Sequence, residues 1–91
     1  MKMIQYGANM VVITDDREIL HLFSYDSEVL RYNPRNKDIM VYTNVANYSV
    51  TTKKHVRNFC TYFLDDPLLA PAIFDPKESR KGYKILHIIN E

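Results

Sequence analysis

Cysteine, glycine and surplus charge are all scarce in this chain, and each scarcity removes a class of function. Cys60 is the one cysteine among 91 residues, so no intramolecular disulfide can close and an oxidising compartment would lend the fold no covalent support. Gly7 and Gly82 are the only glycines, which excludes a phosphate-cradling loop built on several of them. No apolar run nears the roughly 20 residues that span a bilayer. Met1-Lys2-Met3-Ile4-Gln5-Tyr6 also lacks the apolar stretch of a signal peptide. The expected location is the cytoplasm, with no membrane partner. Twelve Lys and Arg against eleven Asp and Glu leave a net charge of +1, well short of the basic surplus with which proteins hold duplex nucleic acid by its phosphates. Residues 48–91 carry seven basic and five acidic side chains, against five and six in residues 1–47. An anionic partner is thereby slightly favoured at the C-terminal half.

What is present suffices for one domain spanning residues 1–91. Apolar residues make up 46% and charged residues 25%, the balance of an ordinary globular chain. Met10-Val11-Val12-Ile13-Thr14 is a β-branched run that stops at Asp15-Asp16-Arg17, as a strand stops at a turn. Ile19–Phe23 is apolar on both alternating faces and reads as a central strand. Glu28–Tyr32 and Asp38–Thr43 read as two more, joined by the loop Asn33-Pro34-Arg35-Asn36-Lys37. Val56, Phe59, Cys60 and Phe63 recur at i, i+3, i+4 and i+7, the spacing of one helical stripe. Thr51 or Ser49 would cap that helix, and Asp65-Asp66-Pro67 would end it. A short turn Leu68-Leu69-Ala70 is expected to end at Pro71. After the charged loop 75–82, Tyr83–Ile89 reads as a final strand. The expected fold is α+β: a small, mainly antiparallel sheet with one main helix on one face and a C-terminal strand.

No catalytic set emerges from these residues. His55 and Cys60 stand five positions apart on the expected helix, about 140° around its axis, so they cannot pair as imidazole and thiolate. Cys60 falls in the apolar stripe and reads as core. His21, His55 and His87 lack a second ligand at metal-site spacing, although His21 and His87 could meet across the sheet. Asp15/Asp16 and Asp65/Asp66 sit at element boundaries, where aspartates cap and turn the chain. No metal and no cofactor is expected. The basic groups Arg31/Arg35/Lys37 and Lys77/Arg80/Lys81/Lys84 are interleaved with acids and read as solvated loops. Seven tyrosines is a high share; Tyr32, Tyr42 and Tyr62 fit the rim of a core, while Tyr25, Tyr48 and Tyr83 stand near loops, where the expected fate is still the core rim and the alternative a protein-binding or base-stacking surface.

The helix start is the most informative segment. Tyr48, Thr51, Thr52, Lys53, Lys54 and Arg57 crowd a place where free backbone N–H groups already attract anions. Cations so near a helix start oppose its dipole, at a cost of about 0.3–1 kcal/mol each in low salt. A bound anionic group would offset that cost, so these six residues are the candidate partner-binding set.

Two short motifs add to this reading. Phe23-Ser24-Tyr25-Asp26-Ser27 and, some twenty residues on, Tyr48-Ser49-Val50-Thr51-Thr52-Lys53-Lys54-His55 resemble a family of short uncharacterised phage and mobile-element proteins. In that family a Ser-Tyr strand motif precedes Tyr-Ser-x-Thr-Thr-x-x-His at a helix start. The resemblance covers about residues 19–63, implies a phage origin, and brings no activity with it. Should His55, at the fourth helical position, pack back onto the preceding strand, the motif would be a fold signature instead of a site. The functional expectation is a non-enzymatic protein that binds a host or phage macromolecule, for example an inhibitor of a host defence or enzyme. The alternative is a nucleic-acid-binding accessory module, and the remote alternative a small enzyme.

Overall fold

The computed structural model describes residues 2–5, 7, 9–42, 48–75 and 77–88. Six strands form one sheet in sequence order: β1 (Lys2–Gln5), β2 (Met10–Thr14), β3 (Leu20–Ser24), β4 (Ser27–Asn33), β5 (Asp38–Val41) and β6 (Lys84–His87). Helices α1 (Val50–Tyr62) and α2 (Leu69–Phe74) separate β5 from β6. The first five strands are an antiparallel meander, and β6 joins β5 in parallel. A parallel neighbour needs a long crossover, and the two helices supply it. The fold is therefore α+β with a mainly antiparallel sheet, as its sequence implies.

Alternation decides which face is covered. Val12, Leu22, Leu30 and Val41 lie opposite one another in register and are buried against Val56, Phe59 and Cys60 of α1 and Leu69, Ala70 and Ile73 of α2 in one cluster. Burying a side chain of this size contributes about 1.5–3 kcal/mol, so both helices are held to the same face. On the other face the register aligns Met3, Ile13, His21, Arg31, Met40 and Leu86 across the whole sheet. Met3 and Leu86 are exposed and the four between them half-buried.

Several expectations change in detail. β1 carries no alternation of burial, all four residues being exposed, which is why its pattern did not read as a strand. Ser49 caps α1, its Oγ accepting the Thr52 N–H at 3.1 Å, and Thr51 is already helical. Pro71 does not end α2 after Ala70. It lies in the first turn of a helix that continues to Phe74, where its missing N–H is not needed. His21 and His87 do not meet, because β4 and β5 lie between their strands. His87 Nε2 instead lies 2.9 Å from the Ile73 carbonyl. The expected ends of β5 at Thr43 and β6 at Ile89 fall outside the described residues.

Candidate functional site

The meander brings the β1–β2 and β3–β4 connections to one end of the sheet, and α1 begins over that end, across β3. Ser24 closes β3 and faces the helix. Its Oγ is 2.8 Å from His55 Nδ1 and 3.1 Å from Thr52 Oγ1, and Ser49 Oγ donates to Thr52 Oγ1 at 3.1 Å. Ser24 is 3% exposed and His55 6%. Each hydroxyl has one proton to give. With Ser49 donating to Thr52, the arrangement that uses every proton runs from Thr52 to Ser24 and from Ser24 to His55 Nδ1. Burial, and then the Lys54 charge, push the His55 pKa down, which keeps the ring neutral and able to accept at Nδ1. The Nε2 atom then carries the proton.

The two sequence motifs therefore meet in space: Ser24 and Tyr25 from one, Ser49, Thr52 and His55 from the other. His55 packs back onto β3, the arrangement expected of a fold signature. Although serine touches histidine here, the pair is not set for attack on a substrate, since Ser24 Oγ is committed inside the fold.

Above this relay stands Tyr25, in the two-residue turn between β3 and β4. Its φ of 57° lies in the left-handed region, which costs a residue with a Cβ about 1–2 kcal/mol. Its N–H is tied to the Asn9 carbonyl at 2.7 Å, and its ring, 51% exposed, lies 6.1 Å from the His55 ring. Gly7, Asn9, Tyr25, Thr51, Lys54, His55 and Asn58 together enclose an open groove of about 430 Å³.

The six expected partner-binding residues separate into three groups. Thr51 and Lys54 line this groove. Lys53 is half-buried and Arg57 exposed; Arg57 lies over the Phe74 ring at 5.2 Å and fronts a second groove with Leu68 and Pro71. Among the described residues, no acid forms an ion pair with Lys53, Lys54 or Arg57. Tyr48 and Thr52 face inward. Tyr48 is 7% exposed, edge-on to Phe74, with its hydroxyl buried and, among the described residues, without a partner, so it offers little area to a ligand. Thr52 is engaged in the relay. The sequence places Tyr48 near a loop without showing which way its ring turns, and Ser24 carries no individual signal, since any serine can end a strand. The shared motif was the one clue to it.

A second polar cluster lies on the uncovered face of the sheet. His21 is bonded to Asp15 Oδ2 through Nε2 at 2.8 Å and to Glu28 Oε2 through Nδ1 at 2.6 Å, and Arg31 grips Glu28 with two nitrogens. The His21 contact, first of all, holds the Asp15 carboxyl below its ordinary range. Desolvation would raise Glu28, but Arg31 and His21 outweigh it and lower it too. These groups satisfy one another. Among the described residues, no three His, Cys, Asp or Glu side chains converge to hold a metal, and no helix is long and apolar enough to cross a membrane.

Residues 1–66 match the model of a family described as "Family of unknown function (DUF8033)". The chain belongs to that family. The match takes in the sheet through β5 and all of α1, and so the whole of the relay and the groove. Neither the curated proteins nor the solved structures contain a significant match.

Proposed function

We propose that this DUF8033 protein is a non-enzymatic binding protein that engages a macromolecular partner, most simply another protein, through the exposed side of α1 and the groove at its start. The observation that carries this reading is the combination of Lys53, Lys54 and Arg57, which have no acidic partner among the described residues, with Tyr25 held half-exposed in a costly backbone conformation. Strain of this kind gathers where a side chain is aimed at something. A face of this size can supply the roughly 800 Å² per partner of a standard interface. The motif resemblance supports a phage or mobile-element origin. In that setting the partner is a host or phage protein in the host cytoplasm, and masking its surface would inhibit it.

Affinity capture from host lysate with the native chain, set against Lys53→Glu/Lys54→Glu, tests the reading. The expected result is a captured protein that the folded double variant loses. Equal capture by both, or none by either, removes it. A nucleic acid is the second reading, favoured by the same unpaired cations. It requires binding to a DNA or RNA oligonucleotide that weakens steeply between roughly 50 and 200 mM salt.

A further inference from the structure

We propose that the groove at the start of α1 is a carboxylate seat, taking an Asp or Glu side chain or a C-terminal carboxylate of a partner protein between the Lys54 ammonium and the His55 Nε2–H. The inference deepens the binding reading above and rests on it.

His55 is the independent observation. It is a polar side chain more than nine-tenths buried, its ring forms part of the groove wall, and its Nδ1 is committed to Ser24. Among the described residues nothing bonds its Nε2. The hydroxyl relay from Ser49 through Thr52 and Ser24 delivers a proton toward Nδ1, so the free nitrogen is a donor. The Nε2 atom is not among the buried polar atoms left without a partner, so solvent reaches it, and a ligand oxygen in the groove can accept from it in place of water. Lys54 lines the same groove, and a cation beside a neutral donor selects an acceptor that carries negative charge. Thr51 and Asn58 add a hydroxyl and an amide to the wall, and the Tyr25 ring flanks the space where the ligand's carbon stem would lie.

Carboxylate is favoured over a nucleic-acid backbone by what surrounds the seat. One lysine and one neutral donor match a single negative charge with two acceptor oxygens. A polyanion would have to continue past the seat. Asp26, exposed and next to Tyr25 in the hairpin turn, would repel its next phosphate, and a chain of net charge +1 offers little long-range compensation.

The test is NMR on the full chain with ¹⁵N-labelled histidine, titrated separately with an acetylated, amidated hexaglutamate peptide, a dT10 oligonucleotide and inorganic phosphate. The expected result is saturable movement of the His55 Nε2 and Tyr25 signals with the peptide. Lys54→Glu, a change at an exposed side chain, should leave the melting curve intact and weaken the peptide at least about tenfold, which is about 1.4 kcal/mol. No movement of His55 with peptide at the order of 10 mM, where binding energy has fallen below about 4 kcal/mol, overturns the seat. A stronger response to dT10 overturns it in favour of nucleic acid, and a response to phosphate alone marks an adventitious ion only. If capture from lysate remains sensitive to Lys53→Glu/Lys54→Glu while the peptide leaves His55 unmoved, the seat is wrong and the broader binding reading stands. If capture is insensitive to that double substitution, the broader reading falls and takes the seat with it, whatever His55 does with the peptide.

Discussion

Replacing Ser24 with alanine should destabilise the protein by about 2 kcal/mol, and the structure says where that number comes from. The Ser24 hydroxyl serves His55 Nδ1 at 2.8 Å and Thr52 Oγ1 at 3.1 Å. In Ser24→Ala the His55 acceptor remains buried with no donor, a penalty of about 1–3 kcal/mol. Thr52 is only half-buried, so its hydroxyl can turn to water and adds no more than about 0.5 kcal/mol. For a domain of this length each kcal/mol lowers Tm by about 4–8 °C, so the variant should melt about 8–16 °C lower. Urea unfolding should show a lower midpoint at unchanged slope, the sign that stability and not denatured-state compactness has changed. A second variant isolates the bond itself. His55→Phe in the Ser24→Ala background removes both polar partners, and loss of both is far milder than loss of one. The double-mutant cycle should return a coupling of about 1–2 kcal/mol. A Ser24→Ala variant within about 0.5 kcal/mol of the native protein, or a coupling of zero, would refute the relay and with it the argument that His55 presents a donor.

Other substitutions and conditions probe the remaining features. Tyr48→Phe removes a buried hydroxyl that has no partner among the described residues, so thermal melting should show a gain of about 1 kcal/mol with peptide affinity unchanged; a clear loss of stability would mean that the hydroxyl is bonded after all. Tyr25→Gly trades about 1–2 kcal/mol of left-handed strain against about 0.5–1 kcal/mol of glycine entropy. Its stability should therefore stay within about 1 kcal/mol of the native protein while hexaglutamate binding weakens, and unweakened binding would leave the turn's strain without a purpose. Cys60 is fully buried, and burial, helped by the Asp66 charge, pushes its thiol up to about 12 from 9.0. The native thiol should thus ignore Ellman's reagent at pH 8 except at the rate of unfolding, and fast labelling would contradict its place in the core. Because the folded value is the higher one, this contribution to stability is complete below about pH 9 and is lost as the pH climbs from there toward 12. Urea midpoints measured across that interval should fall accordingly.

Periodicity made the helix and four of the strands legible, because each buries one face. The stripe Val56, Phe59 and Cys60 could belong to little else, and β2 through β5 alternate or run apolar as half-covered strands do. β1 escaped because edge pairing satisfies its backbone while no side chain needs burial, so nothing is written in its pattern. The parallel docking of β6 escaped for a different reason. Its residues declare a strand, but direction depends on where α1 and α2 deliver the chain. Pro71 misled because a proline early in a helix and a proline after one look alike until the helix start is known. In the candidate site, Lys54 and Arg57 are exposed as helical spacing predicts, while Thr51 and Lys53 are half-buried. Tyr48 is not exposed, since proximity to a loop says little about which way a ring turns. Ser24 and His55 lie 31 positions apart, and only the fold makes them neighbours.

Local rules are broken in several turns, but not with the same consequence. Glu18 and Lys37 also adopt positive φ, each in a hairpin at the far end of the sheet, where a residue in that conformation is the ordinary closing device of a three- to five-residue loop. Asn9 tolerates it by its chemistry. Tyr25 has neither excuse, for a glycine would serve a two-residue turn better and an aromatic ring gains nothing there from burial. It is also the one that stands beside the His55 ring and a lysine that has no acidic partner among the described residues. A strained turn and a cation set against the helix dipole fall around one groove, and packing explains neither. They are expected together if the groove's stability is completed by a group the chain does not itself contain. On that reasoning, saturating hexaglutamate should raise Tm in the native protein by linkage, and should fail to do so in Lys54→Glu. A Tm that does not respond in either would return the two features to coincidence.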